Sequence, residues 1–362
     1  MVSQAPIRVA CIAAVRPNFM KVKPVVDALE RAGAQVVLVH TGQHYDRTMS
    51  DVFFEDIQLR PPDIHLGIGS GTQATQVGRV MIAAEPVFAS LQPDMVIVVG
   101  DVNATVACAY VAAQAGHLVG HVEAGLRSRD WSMPEEINRV VTDAVADLLF
   151  APSEDAVANL LAEGVHADRI VLSGNVMIDT LLANLQRATG RPILDQLGVA
   201  QGGYALVTMH RPANVDDVGM LDQLLDILGN LPKRLPIVFP VHPRTAARLT
   251  GRRLPASFVT TPPLGYLDFL CLEASARVVL TDSGGIQEET TALGVPCLTL
   301  RDNTERPITI TSGSNRLIRS AELASAVLKA CDDGPYTGEL PPLWDGQAGP
   351  RIARIITAWL DL

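Results

Sequence analysis

What the 362-residue chain lacks narrows it first. It has no run of lysines and arginines, and its formal net charge is −10 at pH 7. Nucleic-acid grooves and anionic membrane surfaces attract clustered cations, so neither partner is expected. No apolar run approaches the ~18 residues that a bilayer span needs. Aromatic residues make up only 4%, so no aromatic platform for stacking a sugar is evident. No C-x-x-C, no H-E-x-x-H and no Cys/His cluster occurs, which leaves no pattern for a bound metal. The five cysteines, Cys11, Cys108, Cys271, Cys297 and Cys331, lie mostly in apolar runs. They read as reduced core thiols of a cytoplasmic protein. The opening "MVSQAPIRVACIAAVRPNF" has an arginine inside a short apolar stretch and no clear cleavage site. It reads as a first strand, not a signal peptide.

What is present is a core-forming α/β chain, 48% hydrophobic and 19% charged. Continuously apolar, often β-branched segments recur at 8–15, 35–39, 95–99, 118–122, 148–151 and 170–172. Helix-length stretches separate most of them. Strands apolar throughout are buried on both faces, which predicts a doubly wound parallel sheet with helices on either side. The second half repeats the scheme at 204–208, 237–240, 258–260, 276–280 and 297–300. The loose, glycine-containing stretch 185–203 is the expected linker region. Two Rossmann-like domains follow, 1–180 and 181–348, with a C-terminal helix over 349–362. A ligand cleft is expected between them, at the C-terminal ends of the strands.

Several stretches carry chemistry. "LTDSGGIQEE" places Ser283, Gly284 and Gly285 between a strand and a helix. Free N–H groups and the helix dipole make that turn an anion site. It is neither the dinucleotide nor the P-loop pattern. Glu289 stands six residues past Ser283, far enough to clear a phosphate and accept hydrogen bonds from ribose hydroxyls. A nucleoside diphosphate fits; a tight turn with a solvated acidic face fits equally. Arg16 and Lys21 follow the first strand and suit a diphosphate, or are ordinary surface charge. Asp101, in "VVGDVNAT", ends a buried strand and is either a helix cap or a catalytic acid. In "GHVEAGLRSRDWSMPEEINR", His121 and Glu123 alternate on a strand, and Glu135 and Arg139 share a helix face four residues apart. A glutamate in an apolar strand is costly unless paired or used, so Glu123 is a catalytic candidate or part of a buried ion pair with Arg127 or Arg139. His210 in "TMHRPAN" and His242 in "FPVHPRT" each follow a strand, and such matched positions suggest ligand contact. In "LRDNTERP", Arg301, Glu305 and Arg306 follow the last strand.

The ordered series "RPNFMK", "TGQHYD", "GDVNAT", "HVEAGLR", "MPEEINR", "HRPAN", "PVHPRT", "LTDSGGIQEE", "RDNTERP" and "TSGSNRLI" spans nearly the whole chain. It resembles the non-hydrolysing UDP-N-acetylglucosamine 2-epimerases. The resemblance implies a glycosyltransferase-B-like fold of two Rossmann-like domains, with the C-terminal helix packed back on the first. It implies interconversion of UDP-GlcNAc and UDP-ManNAc without NAD or any other cofactor, by a cytoplasmic homodimer. It assigns Asp101, Glu123, Glu135, Arg139 and His210 to catalysis. It assigns Arg16, Lys21, His242, Ser283, Gly284, Gly285 and Glu289 to the UDP-sugar, His210 also touching the diphosphate.

The implied route is elimination of UDP to 2-acetamidoglucal and re-addition. Two faces of one carbon need two acid/base groups, which clustered carboxylates can provide. The chain departs from the commoner family pattern at Asn18, at Tyr45 in "QHY" and at Pro212 in "HRPAN". Tyr45 and Pro212 replace cationic positions at which some members bind a second, activating UDP-GlcNAc, which argues against such activation here. The same changes leave room for an oxidised or diacetamido UDP-hexose. Three other functions compete: a hydrolysing epimerase releasing free N-acetylmannosamine, a retaining glycosyltransferase, and a non-catalytic nucleotide-sugar-binding protein.

Overall fold

A computed structural model of the chain describes residues 6–42, 55–231 and 235–360. The chain divides into two compact units, one of residues 1–180 with 342–362 and one of residues 181–341. Each carries one wholly parallel sheet.

In unit 1 the strands are β1 (Arg8–Ala13), β2 (Gln35–His40), β3 (Ile64–His65), β4 (Met95–Val99), β5 (Leu118–Val122), β6 (Leu148–Ala151) and β7 (Ile170–Leu172). Their order is β3-β2-β1-β4-β5-β6-β7. The order reverses between β1 and β4, as it does in doubly wound sheets, where ligands bind beyond the carboxyl ends. β4 reads MVIVV and all of it is buried, as a strand covered on both faces requires. Each such Val or Ile withdrawn from water contributes about 1.5–3 kcal/mol. The helix Arg16–Arg31 follows β1, with a proline in its first turn, where no N–H is missed.

The last helix, Ala348–Leu360, belongs to unit 1. The Asp179 carboxylate accepts from the N–H groups of Ala348 (3.0 Å) and Gly349 (2.7 Å). That caps the helix start and ties the returning chain to the unit. Gly349 lies against the carbonyl of Pro24 on the first helix, and Ile352, Ala353 and Ile356 are buried.

In unit 2 the strands are β8 (Ala205–Thr208), β9 (Ile237–Pro240), β10 (Phe258–Thr261), β11 (Val278–Thr281), β12 (Cys297–Thr299) and β13 (Asn315–Leu317). The order β10-β9-β8-β11-β12-β13 again reverses beside the first strand of the unit. β8 and β11 pair in register from Ala205–Val278 to Thr208–Thr281, so their ends, and the turns that follow, lie side by side.

Candidate active site

In unit 1 the chemistry gathers at the carboxyl ends of β1, β4 and β5. β4 ends at Gly100, whose φ of +71° suits a residue without a side chain. A Cβ there would stand 3.1 Å from a Glu123 carboxylate oxygen and 3.5 Å from both Asn18 Nδ2 and Lys21 Nζ. Glu123, just past β5, is buried and has φ +72°. Such a conformation in a non-glycine residue costs about 1–3 kcal/mol and persists only where the surroundings over-determine it.

The surroundings do so here. Lys21 Nζ forms a buried ion pair with Glu123. Asn18 Nδ2 donates to the Val99 carbonyl (3.1 Å). The N–H groups of Glu123 and Ala124 both point to the Phe150 carbonyl, at 3.1 and 3.2 Å. Of the partners that sequence suggested for Glu123, Arg127 is taken up by Asp143 (2.7 Å) and Glu163 (2.6 Å).

Asp101 stands one residue beyond Gly100, and the cap position of the next helix is Val102. Its carboxylate accepts from Arg139 Nε (3.0 Å) and Nη2 (2.7 Å). Arg139 also pairs with Glu136. Glu136 in turn accepts from the Ser128 N–H (2.9 Å), the Ser128 hydroxyl (3.0 Å) and the Arg129 N–H (2.7 Å). Burial pushes the Glu136 carboxyl up, but those N–H donors and the Arg139 charge more than offset it and hold it low. Of the two adjacent glutamates, Glu136 therefore anchors the loop. Glu135 is half-buried on the first turn of the helix Pro134–Val145.

In unit 2 the helix Gly284–Leu293 starts directly after β11, with Ser283 at its cap. Gly284 is crowded: a Cβ would fall 2.6 Å from both Arg306 Nη1 and Glu305 Oε1. Arg306 is buried and pairs with Glu288 (2.8 Å) and Glu305, so its cation is brought to the helix N-terminus. The acidic face is not solvated: Glu288 and Glu289 are 1% and 4% exposed. Glu289 accepts from the Tyr266 hydroxyl (3.2 Å). Burial raises its carboxyl; that hydrogen bond lowers it and the Glu288 charge raises it, for a value of about 7.

His210 follows β8. Its Nδ1 lies 2.8 Å from Asp282, which is fully buried, while the His210 side chain is 41% exposed. Asp282 also accepts from the N–H groups of His210 (3.0 Å) and Arg211 (2.9 Å) and from Asn214 Nδ2 (3.0 Å). Burial pushes the Asp282 carboxyl up, and the hydrogen bond and charge of His210 with the other donors bring it below the usual range. The imidazole is thus oriented with Nε2 outward, the geometry of a positioned acid/base or anion contact. The His242 ring lies 5.6 Å from that of His210, centroid to centroid; its Nδ1 accepts from the Arg244 N–H (3.2 Å).

Asp282 is a functional candidate that sequence reasoning passed over; Arg306 was singled out after the last strand without a role. Both were visible as charges at strand ends. The side chain of Arg16, and Tyr45 altogether, lie outside what is described. Among the described residues no cluster of His, Cys, Asp and Glu could hold a metal ion, and no helix is long and apolar enough to cross a membrane.

The family profile for UDP-N-acetylglucosamine 2-epimerase matches residues 27–357. The chain belongs to the UDP-N-acetylglucosamine 2-epimerase family. A member from Methanocaldococcus jannaschii is 40% identical over 97% of this chain and 99% of its own length. The crystal structure of the M. jannaschii enzyme with UDP-GlcNAc and UDP superposes with a TM-score of 0.89, at 39% identity, covering 97% of this chain and 100% of that one. A Pseudomonas aeruginosa relative, UDP-2,3-diacetamido-2,3-dideoxy-D-glucuronate 2-epimerase, is 38% identical over 96% of this chain and 99% of its length. A spinosyn forosaminyltransferase shares the fold at TM-score 0.59 and 14% identity, over 98% of this chain and 100% of that one. This family member is an enzyme built of two parallel-sheet α/β domains, as its sequence led one to expect.

Proposed function

We propose that the protein reversibly epimerises UDP-N-acetylglucosamine at C2 to UDP-N-acetylmannosamine. The observation that carries the reading is Glu123, a buried carboxylate in a strained backbone, ion-paired with Lys21 beside the Asp101–Arg139 pair. Strain of this kind gathers at functional sites. Unit 1 then supplies the acid/base groups and unit 2 the nucleotide site.

The C1–O bond to the diphosphate breaks with its electrons going to UDP. A carboxylate, Glu123 or Asp101, takes the C2 proton, and the C1–C2 double bond of 2-acetamidoglucal forms. UDP then attacks C1 while a second acid, with Glu135 as the further candidate, returns a proton to the opposite face of C2. The departing diphosphate is met by the N–H groups of Gly284 and Gly285, by His210 and by Arg306, with Arg16 and His242 as further contacts. Such aimed donors stabilise the charge as it develops. Glu289 accepts from the ribose. No cofactor takes part. The working form is a homodimer in the cytoplasm.

A second substrate has support in the P. aeruginosa relative, whose name specifies a diacetamido uronate. The test is incubation with UDP-GlcNAc in deuterium oxide, followed by NMR of sugar and phosphorus. Deuterium at C2 with intact UDP-ManNAc is expected. Free sugar with UDP would mean a hydrolysing enzyme. Exchange only with a diacetamido uronate would move the substrate to that sugar, and no exchange with either would end the reading.

A further inference from the structure

His121 stands two residues before the strained carboxylate and is fully buried, at 0% exposure. Its Nδ1 lies 2.6 Å from Asp143 Oδ1, and its Nε2 lies 2.9 Å from the carbonyl oxygen of Gly100. Ionised carboxylates and carbonyl oxygens only accept hydrogen bonds, so each contact needs a proton on the nitrogen that faces it. Asp143 also faces the Arg127 guanidinium at 2.7 Å, a permanent cation that favours its ionised form. A neutral imidazole carries one N–H and would leave one buried acceptor facing a bare nitrogen. Two N–H groups make an imidazolium.

Other charges stand nearby. Lys21 comes from the first helix, Asp143 from the helix Pro134–Val145, Glu123 and Arg127 from the segment after β5, and Glu163, at the surface, pairs with Arg127. Arg139 pairs with Asp101 and Glu136.

The same pair reaches both turns of the site. The Gly100 carbonyl that His121 holds immediately precedes Asp101. The other oxygen of Asp143 accepts from the Gly125 N–H (3.1 Å), two residues past Glu123. We propose that His121 is a positioning residue acting as a buried imidazolium, which clamps the Gly100 carbonyl to Asp143 and so fixes the turns bearing Asp101 and Glu123. The clamp's effect on turnover rests on the epimerase reading; its charge state does not.

The long-range proton–nitrogen spectrum of histidine-labelled protein tests the charge. The His121 signal, identified by its loss in His121→Gln, is expected to show both ring nitrogens protonated at the pH of the exchange assay. One bare nitrogen overturns the proposal. Asp143→Asn keeps the shape and removes the anion. It is expected to abolish that signature and to lower kcat for C2 exchange roughly 100-fold, as a misplacement of about 1 Å can, with KM little changed. An unaltered kcat in a folded Asp143→Asn protein that has lost the signature overturns the positioning role. If the wild-type protein shows the imidazolium and exchanges no deuterium into any UDP-sugar, the epimerase reading fails while the charge assignment stands.

Discussion

Lys21 and Glu123 lie 102 residues apart in sequence and meet as a buried ion pair at the carboxyl end of the unit 1 sheet. The pair joins the first turns of the first helix to the strained residue after β5. Neither charge has enough solvent to stand alone.

Removing one partner should therefore cost more than removing both. Lys21→Met takes the cation away from a buried carboxylate and should destabilise the fold by about 3–5 kcal/mol. The double variant Lys21→Met/Glu123→Leu should recover most of that loss. Urea unfolding of the three proteins measures it; equal loss in single and double variants would show that the pair is not coupled.

Glu123→Gln keeps the shape and removes the base. UDP should bind with unchanged affinity in calorimetry, while C2 exchange into deuterium oxide falls by about 10²–10⁴-fold, the range of a general acid/base group. Undiminished exchange would remove Glu123 from the mechanism.

Gly284→Ala forces a methyl group onto the Arg306 guanidinium and the Glu305 carboxylate. Overpacking of this kind costs about 1–3 kcal/mol. The cost should appear in urea unfolding, and UDP binding should weaken because the Arg306 cation is pushed from its place at the helix start, with the far-ultraviolet circular dichroism spectrum unchanged. Wild-type affinity would detach the helix start from the diphosphate.

Glu289 sets a pH dependence. Burial, against the Tyr266 hydrogen bond and with the Glu288 charge, raises its carboxyl from 4.5 to about 7 in the folded chain. The folded state then holds a proton that the unfolded state has released. The stability this contributes is complete below 4.5 and is lost as pH rises to about 7. Ribose hydroxyls need the ionised form, so UDP affinity should move the other way, falling up to about tenfold per unit as pH drops below that value. Glu289→Gln should flatten this part of the profile. A wild-type affinity constant between about pH 6 and pH 8 would exclude the carboxylate from ribose binding.

Much of this was legible in the sequence because apolar runs such as Met95–Val99 and Val278–Thr281 are long enough to declare a buried strand. β3 and β13 were missed: two and three residues carry no periodicity, and their pairing comes from neighbours already in place. Spacing placed Ser283, His210 and Glu123 at strand ends, which is where they are. It did not reveal which charges would meet. Lys21 was expected at a nucleotide and is paired with Glu123, and of the two readings of the acidic helix face the solvated one fails, because Glu288 lies buried against Arg306. Such pairings join residues distant in the chain, and only the fold brings them to hydrogen-bonding distance.

The clasp between Asp179 and the start of the last helix has a consequence for synthesis. Everything in residues 181–341 leaves the ribosome before the helix that completes unit 1 exists. Until then the flank of the first helix around Pro24 has no cover, and Asp179 has no N–H groups to receive. The later-made unit can thus finish folding before the earlier-made one, reversing the usual N-terminal-first order, and the waiting flank is an apolar landing place for a chaperone.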